Sequence, residues 1–236
     1  MSAPVLLLPA VHHPKHYDYV LLIGAPSVGK GKKAKAICLL NGYEEVGGSK
    51  VINLRLQQDE AFAAEMSGDI LQTMNGGKLV RDEVMMESLQ WYINHLSLSR
   101  RNLVIDGVPR SIKQAQLLGA FLKHLRGEDG HETTIALVSF ENVDTEELIR
   151  RAAARTEERR LEGLPRRHDD DPVVVRDRAE LYFASKDQII AVASKYADHF
   201  PIDASGAHHT VLRQILKPLH LEAAAEELEI LPRGGE

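Results

Sequence analysis

A chain of 236 residues that is 44% hydrophobic is long enough to bury a full core as one large domain with small inserts. Its 29 Lys and Arg against 34 Asp and Glu leave a formal net charge of -5, which excludes a general nucleic-acid-binding surface and allows only local basic sites. A single cysteine, Cys38, excludes an internal disulfide framework and a multi-cysteine zinc cluster.

Residues 1–18 are expected to form an N-terminal arm that packs on something. The apolar run at 5–8 is too short for a signal peptide, residues 1–16 lack the arginines of an organellar transit segment, and no apolar stretch approaches the roughly 18 residues that span a bilayer. A cytoplasmic protein with no membrane partner is expected. Residues 19–23 (YVLLI) read as a buried strand ending at Gly24, and residues 29–40 as the helix that follows. Residues 103–105 (LVI) and 135–140 (IALVSF) read as two more buried strands, with helices predicted over 84–98 and 111–126. Strands alternating with helices imply a mostly parallel sheet covered on both faces.

A long helix is predicted over 145–162, capped by Thr145 and carrying a dense row of arginines. The stretch GLPRRHDDDP at 163–172 breaks it, and residues 173–196 read as one or two helices. Ile202 and Asp203 suggest a last short strand, residues 211–219 a helix stopped near Pro218, and 222–231 a short acidic helix in a C-terminal extension, 220–236.

Residues 24–30, Gly-Ala-Pro-Ser-Val-Gly-Lys, satisfy the G-x4-GK pattern between a strand and a helix. Glycines let the backbone fold around a phosphate, its N–H groups and the helix start supply positive potential, and Lys30 reaches the outer phosphates. The next position is Gly31, where the general pattern has the Ser or Thr that touches magnesium. Nucleoside monophosphate kinases carry glycine there, in GAPGSGKGT, and GAPSVGKGK in this chain resembles that loop. Lys32 departs from it, standing where the family has a phosphate-contacting threonine.

Residues 105–110, IDGVPR, are similar to the LDGFPR segment of adenylate kinases, with Val108 in place of phenylalanine. The resemblance implies that Asp106 holds magnesium-bound water and that Arg110 grips the acceptor phosphate. Gly77, Lys78, Leu79 and Val80, followed by Asp82 and Glu83, resemble GKLVxDE, which lines the monophosphate base. Gln114 matches the family glutamine that reads adenine, favouring it over pyrimidines; a side-chain amide can donate and accept on one base edge. Arg151 and Arg155 stand one helical turn apart and resemble the lid-flanking arginine pair. Arg167, Asp169 and Asp170 are similar to R-x-D-D, Arg178 follows at the family spacing, and residues 202–206 resemble IDASG, whose glycine, here Gly206, borders the ATP adenine.

The resemblance, over about 19–219, is therefore to adenylate kinases with a short, cysteine-free lid. It implies a three-layer α/β P-loop NTPase fold, a monophosphate-binding insert at about 50–83 and a lid at about 156–169. It also implies magnesium-dependent transfer from ATP to AMP. Gly24, Ala25, Pro26, Ser27, Val28, Gly29, Lys30, Gly31, Lys32 and Gly206 would hold ATP. Lys30, Arg110, Arg151, Arg155, Arg167 and Arg178 would stabilise the transferring charge, as in-line phosphoryl transfer requires. Arg55, Gly77, Leu79, Val80, Gly107, Arg110 and Gln114 would hold AMP.

The AMP segment STGDLLR of the family has no clear counterpart: counting back from Gly77 puts residues 51–57 there, and 67–72 (SGDILQ) resembles it by letters alone. Two alternatives follow. One is a structural or nucleotide-sensing subunit of a larger assembly, cytoskeletal or ciliary in setting, with protein partners on the arm and the C-terminal helix; the other is a kinase of a different monophosphate. The eleven histidines form no ligand constellation and are expected on the surface, while Cys38, Trp91 and Tyr92 are expected to pack.

Overall fold

The computed structural model describes residues 17–75, 80–95, 102–128 and 133–221. Five strands, β1 (Tyr19–Ile23), β2 (Glu44–Gly47), β3 (Leu103–Asp106), β4 (Ile135–Glu141) and β5 (Asp198–Asp203), form one sheet in the order β2-β3-β1-β4-β5. Every neighbouring pair is parallel, with Tyr19 beside both Leu103 and Ile135. The fold class is thus α/β with a parallel sheet. β1, entirely apolar and entirely buried, lies at its centre, as expected of a strand covered on both faces.

Alternate residues of the strands feed two cores. Tyr19, Leu21, Ile23, Leu103, Ile105 and Leu137 pack on one side with helices α2 (Gly48–Gln58), α4 (Asp82–His95) and α5 (Ile112–Glu128). Val20, Leu22, Val104, Ala136 and Val138 pack on the other with α1 (Lys30–Asn41), α6 (Thr145–Leu161) and α8 (His208–Leu216). Helix α7 (Pro172–Ala193) serves both cores, through Val175 and Ala179 in its first half and Ile189 and Ala193 in its last turns. No helix among the described residues is long and apolar enough to cross a membrane.

Several expectations are corrected. The cap of α6 is Asp144, whose carboxylate accepts from Glu147 N at 2.8 Å, and Thr145 is the first helical residue. Of the one or two helices expected over 173–196 the chain forms one, started by Pro172, capped by Asp171 and ending at Ala193, three residues early. β5 begins four residues before Ile202, and α8 ends at Leu216, two residues short of Pro218. Residues 51–57 lie inside α2, and the SGDILQ letters lie inside α3 (Glu60–Asn75). His199 is only partly exposed, its ring bonded to Ser139. Cys38 packs against the second core as expected, half-buried, and burial pushes its thiol up to about 11. Residues 1–16, 222–231 and the Gly77–Leu79 segment lie outside the described residues.

Candidate active site

The carboxyl ends of β1, β3 and β4 bring the loop, Asp106 and the start of α6 to one edge of the sheet. Such an edge is where open parallel sheets bind ligands. At Gly24 the chain leaves β1 so close to β4 that a Cβ would lie 3.0 Å from Phe140 Cβ and 3.0 Å from Val28 Cγ1. Ser27 at φ 61 and Gly29 at φ 99 then turn the backbone through the left-handed region before α1 begins at Lys30. Ala25 and Val28 are buried, while Pro26, Ser27 and Gly31 are partly exposed.

The Lys30 ammonium donates to Gly24 O at 2.7 Å and Ala25 O at 2.8 Å. It is brought down to about 8 by the surrounding protein, with Asp106 opposing and Arg110, Arg178 and Arg155 adding to the shift. These residues, distant in sequence, therefore share one electrostatic site. Gly31 abuts Asp106, since a Cβ there would lie 3.4 Å from Asp106 Oδ2. The other carboxylate oxygen, Asp106 Oδ1, is buried with no hydrogen-bond partner.

Arg110 keeps solvent exposure, while other charged side chains of the site lie within electrostatic reach of it. Desolvation lowers its guanidinium from the ordinary value, Arg178 and Arg167 add to this, and Asp106 and Asp169 oppose it. Its Nε donates to Gly107 O at 2.6 Å, curling the side chain over a glycine with φ +72.

Arg151 donates to Glu147 at 2.6 Å, to Ala204 O at 2.9 Å and to Val28 O at 3.3 Å, so it ties the loop to the turn after β5 where Gly206 lies exposed. Arg155 pairs with the buried Asp170 and reaches Ser27 Oγ at 3.3 Å. Arg167 binds Asp169 at 2.8 Å and Arg178 binds the same carboxylate at 3.3 Å. Burial opposes the charge of Arg167, but the bond to Asp169 and the charges of Asp169, Asp170 and Asp106 hold it above its ordinary value. Thus Lys30, Arg110, Arg155, Arg167, Arg178 and Asp106 converge. Lys32 points away, its ammonium 2.9 Å from Glu158 on α6 in an exposed pair.

On the acceptor side, Gln114 is buried, with its amide bonded to Arg110 N and Asp82. Val80 packs against the core. Arg55 does not join the cluster of cations: Asp59 holds its Nε at 3.2 Å, Ser88 Oγ is 3.3 Å from Nη1, and the guanidinium lies 3.9 Å over the Phe62 ring. Asp82, Ser111 and Asp170, which sequence reasoning did not single out as site residues, are the carboxylates and hydroxyl that fix these groups. The only signal for Asp82 and Asp170 was their place within the DE and R-x-D-D segments, and Ser111 had none beyond following Arg110.

No protein-family model matches the chain. It is similar to the adenylate kinase of Maricaulis maris, 28% identical over 200 residues that make up 85% of this chain and 97% of the relative. The adenylate kinase of Synechococcus sp. (strain CC9902) is 27% identical over 203 residues, 85% of this chain and 97% of the relative. That of Hyphomonas neptunium is 26% identical over 196 residues, 83% and 95%.

Proposed function

The chain belongs to the adenylate kinase family and is a phosphotransferase, and from that premise we propose that it moves the γ-phosphoryl group of magnesium-bound ATP to AMP, giving two ADP. The observation that carries the reading is the convergence of Lys30, Arg110, Arg155 and Arg178 on one electrostatic site beside Asp106. Phosphoryl transfer needs charge stabilisation and alignment more than covalent help from protein.

In this reading the loop from Gly24 to Gly31 wraps the phosphates of ATP, and Lys30 exchanges the carbonyls of Gly24 and Ala25 for phosphate oxygens. Arg151 lies between the loop and the turn leading to Gly206, where the adenine of ATP would rest. Arg155, Arg167 and Arg178 exchange Asp170 and Asp169 for the transferring group, and Arg110 holds the acceptor phosphate. Lys32, engaged by Glu158, adds long-range potential without a phosphate contact.

The free, buried Asp106 Oδ1 suits a water of a hydrated divalent cation. Among the described residues no group of three or more His, Cys, Asp or Glu could hold a metal alone, which suits an ion held largely by phosphates and water. Magnesium held there through water by Asp106 would neutralise charge on the β- and γ-phosphate groups. Val80, Gly107 and Gln114 would line the acceptor, with Gly77 and Leu79. Arg55 would have to leave Asp59 and Ser88 to reach it, so Arg110 carries the acceptor phosphate in this reading.

The test is ADP formation from ATP, magnesium and AMP, with Arg110→Ala beside the wild type. A loss of about 100-fold or more in kcat/KM for AMP is expected of the variant. No ADP at high wild-type concentration would sink the reading, and an unchanged variant would sink the place of Arg110 in it.

A further inference from the structure

Asp82, the first residue of α4, bridges two residues at the start of α5. Its Oδ2 accepts from Ser111 Oγ at 2.7 Å and its Oδ1 from Gln114 Nε2 at 2.9 Å. Ser111 Oγ in turn accepts from Gln114 N at 3.0 Å, and Gln114 Oε1 accepts from Arg110 N at 2.7 Å. Only one orientation of the amide satisfies both neighbours. The flipped amide would set its NH2 against the Arg110 N–H and its oxygen against a carboxylate, two contacts of like polarity. Gln114 is 2% exposed, so water has little access to repair them. After these bonds the amide keeps one N–H and one oxygen lone pair.

We propose that Asp82 is a positioning residue that locks the Gln114 amide and so selects acceptors bearing a 6-aminopurine. This deepens the proposed transfer to AMP and rests on it, with Gln114 facing the acceptor base. The remaining lone pair meets an exocyclic amino donor, and the remaining N–H meets the adjacent ring nitrogen. A 6-oxopurine presents the reverse order, an oxygen acceptor beside a ring N–H, and requires the flipped amide. Arg110 N and Asp82 oppose that flip together. Removing Asp82 leaves one of the two restraints.

The measurement is kcat and KM for AMP and IMP with saturating magnesium-ATP, in wild type, Asp82→Ala and Asp82→Asn. Asp82→Ala is expected to lower the AMP to IMP ratio of kcat/KM by about tenfold or more, one hydrogen-bonding restraint being lost. Asp82→Asn keeps an oxygen for Gln114 Nε2 and is expected to hold the ratio within about threefold. A purely structural role would lower both substrates alike and leave the ratio unchanged, which would overturn the proposal. So would an Asp82→Asn variant that loses the ratio as fully as Asp82→Ala. If Asp82→Ala does not fold, Asp82→Ser takes its place, since serine suits a helix start but is too short to reach Gln114. A wild type that transfers to no nucleoside monophosphate brings down the function reading as well. One that uses AMP while Asp82→Ala keeps the ratio brings down only Asp82.

Discussion

Arg155 of α6 and Asp170, at the end of the short 3-10 turn His168–Asp170, form an ion pair whose carboxylate has no solvent exposure while the arginine side chain keeps 30%. The pair ties the helix to the segment returning from it, and Arg155 also touches the loop through Ser27. Arg155→Ala would leave a carboxylate buried without its cation. It is expected to cost roughly 2–3 kcal/mol in urea unfolding, at the low end for a buried pair because one partner is partly solvated. Arg155→Ala/Asp170→Ala should recover at least half of that cost. A double variant no more stable than the single one would show that the arginine does not hold Asp170. Both are expected to lose about 100-fold in kcat, since the guanidinium is gone in each.

Gly107 is occupied by glycine because of what lies over it. Its φ is +72, and a Cβ would sit 2.7 Å from Arg110 Nη2 and 3.2 Å from Nε. Gly107→Ala should therefore cost about 1–2 kcal/mol in backbone strain and push Arg110 aside, raising KM for the acceptor more than that for ATP. Gly68, within α3 with nothing within 4 Å of an added Cβ, is the contrast. Gly68→Ala should stabilise by about 0.5–1 kcal/mol without changing either KM. Equal rises in both KM values for Gly107→Ala would show that Arg110 does not serve the acceptor alone.

The central elements were legible because their residues state their surroundings. YVLLI and IALVSF are apolar runs with turn residues at their ends, which only a strand buried on both faces requires. β2 was not legible: Glu44 and Glu45 make half of its four residues, and it is an edge strand satisfied by β3 on one side. Missing β2 hid the start of α2, and so the acceptor segment was counted from Gly77 instead of from the end of a strand. On α6 the spacing separated Arg151 and Arg155, which turn inward, from Arg150 and Arg160, which pair with Glu147 and Glu157 on the surface. Arg151 ties into the fold through the carbonyls of Val28 and Ala204, and backbone acceptors leave no mark in a sequence. Gln114 was found as a matching letter, but its bracket of Asp82 and Ser111 depends on how α4 meets α5.

His199 on β5 shares a hydrogen bond of 2.8 Å with the buried Ser139, next to Glu141, which Lys186 pairs at 2.8 Å. Burial holds the imidazole below its ordinary 6.5, with Glu141 opposing. The unfolded chain therefore takes up its proton first as pH falls, and stability should drop between about pH 7 and the lowered native value. The slope is at most about 1.4 kcal/mol per pH unit for this group. His208, lowered by burial and by Lys33 and Lys32, acts in the same direction. His199→Gln should flatten the change in urea stability between pH 7.5 and 5.5, and a wild type whose stability is constant over that range contradicts the assignment.

Lys30 links pH to nucleotide binding with the opposite sign. In the free protein its ammonium is brought down to about 8, chiefly by desolvation. Phosphate oxygens placed on it would raise that value, because they favour the charged form. Above pH 8 the free protein must therefore take up a proton to bind ATP, and affinity should fall by up to about tenfold per pH unit as pH rises from 8 to 9.5. Calorimetric titration of ATP at pH 8.5 in buffers of different ionisation enthalpy reads the uptake directly. About half a proton or more per ATP is expected of the wild type, and none from this group in Lys30→Met, which should also bind more weakly at pH 7. Wild-type binding that takes up no proton at pH 8.5 would mean that the ammonium is already fully charged beside Gly24 and Ala25. Desolvation of the ammonium would then be offset by those two carbonyls and by Asp106.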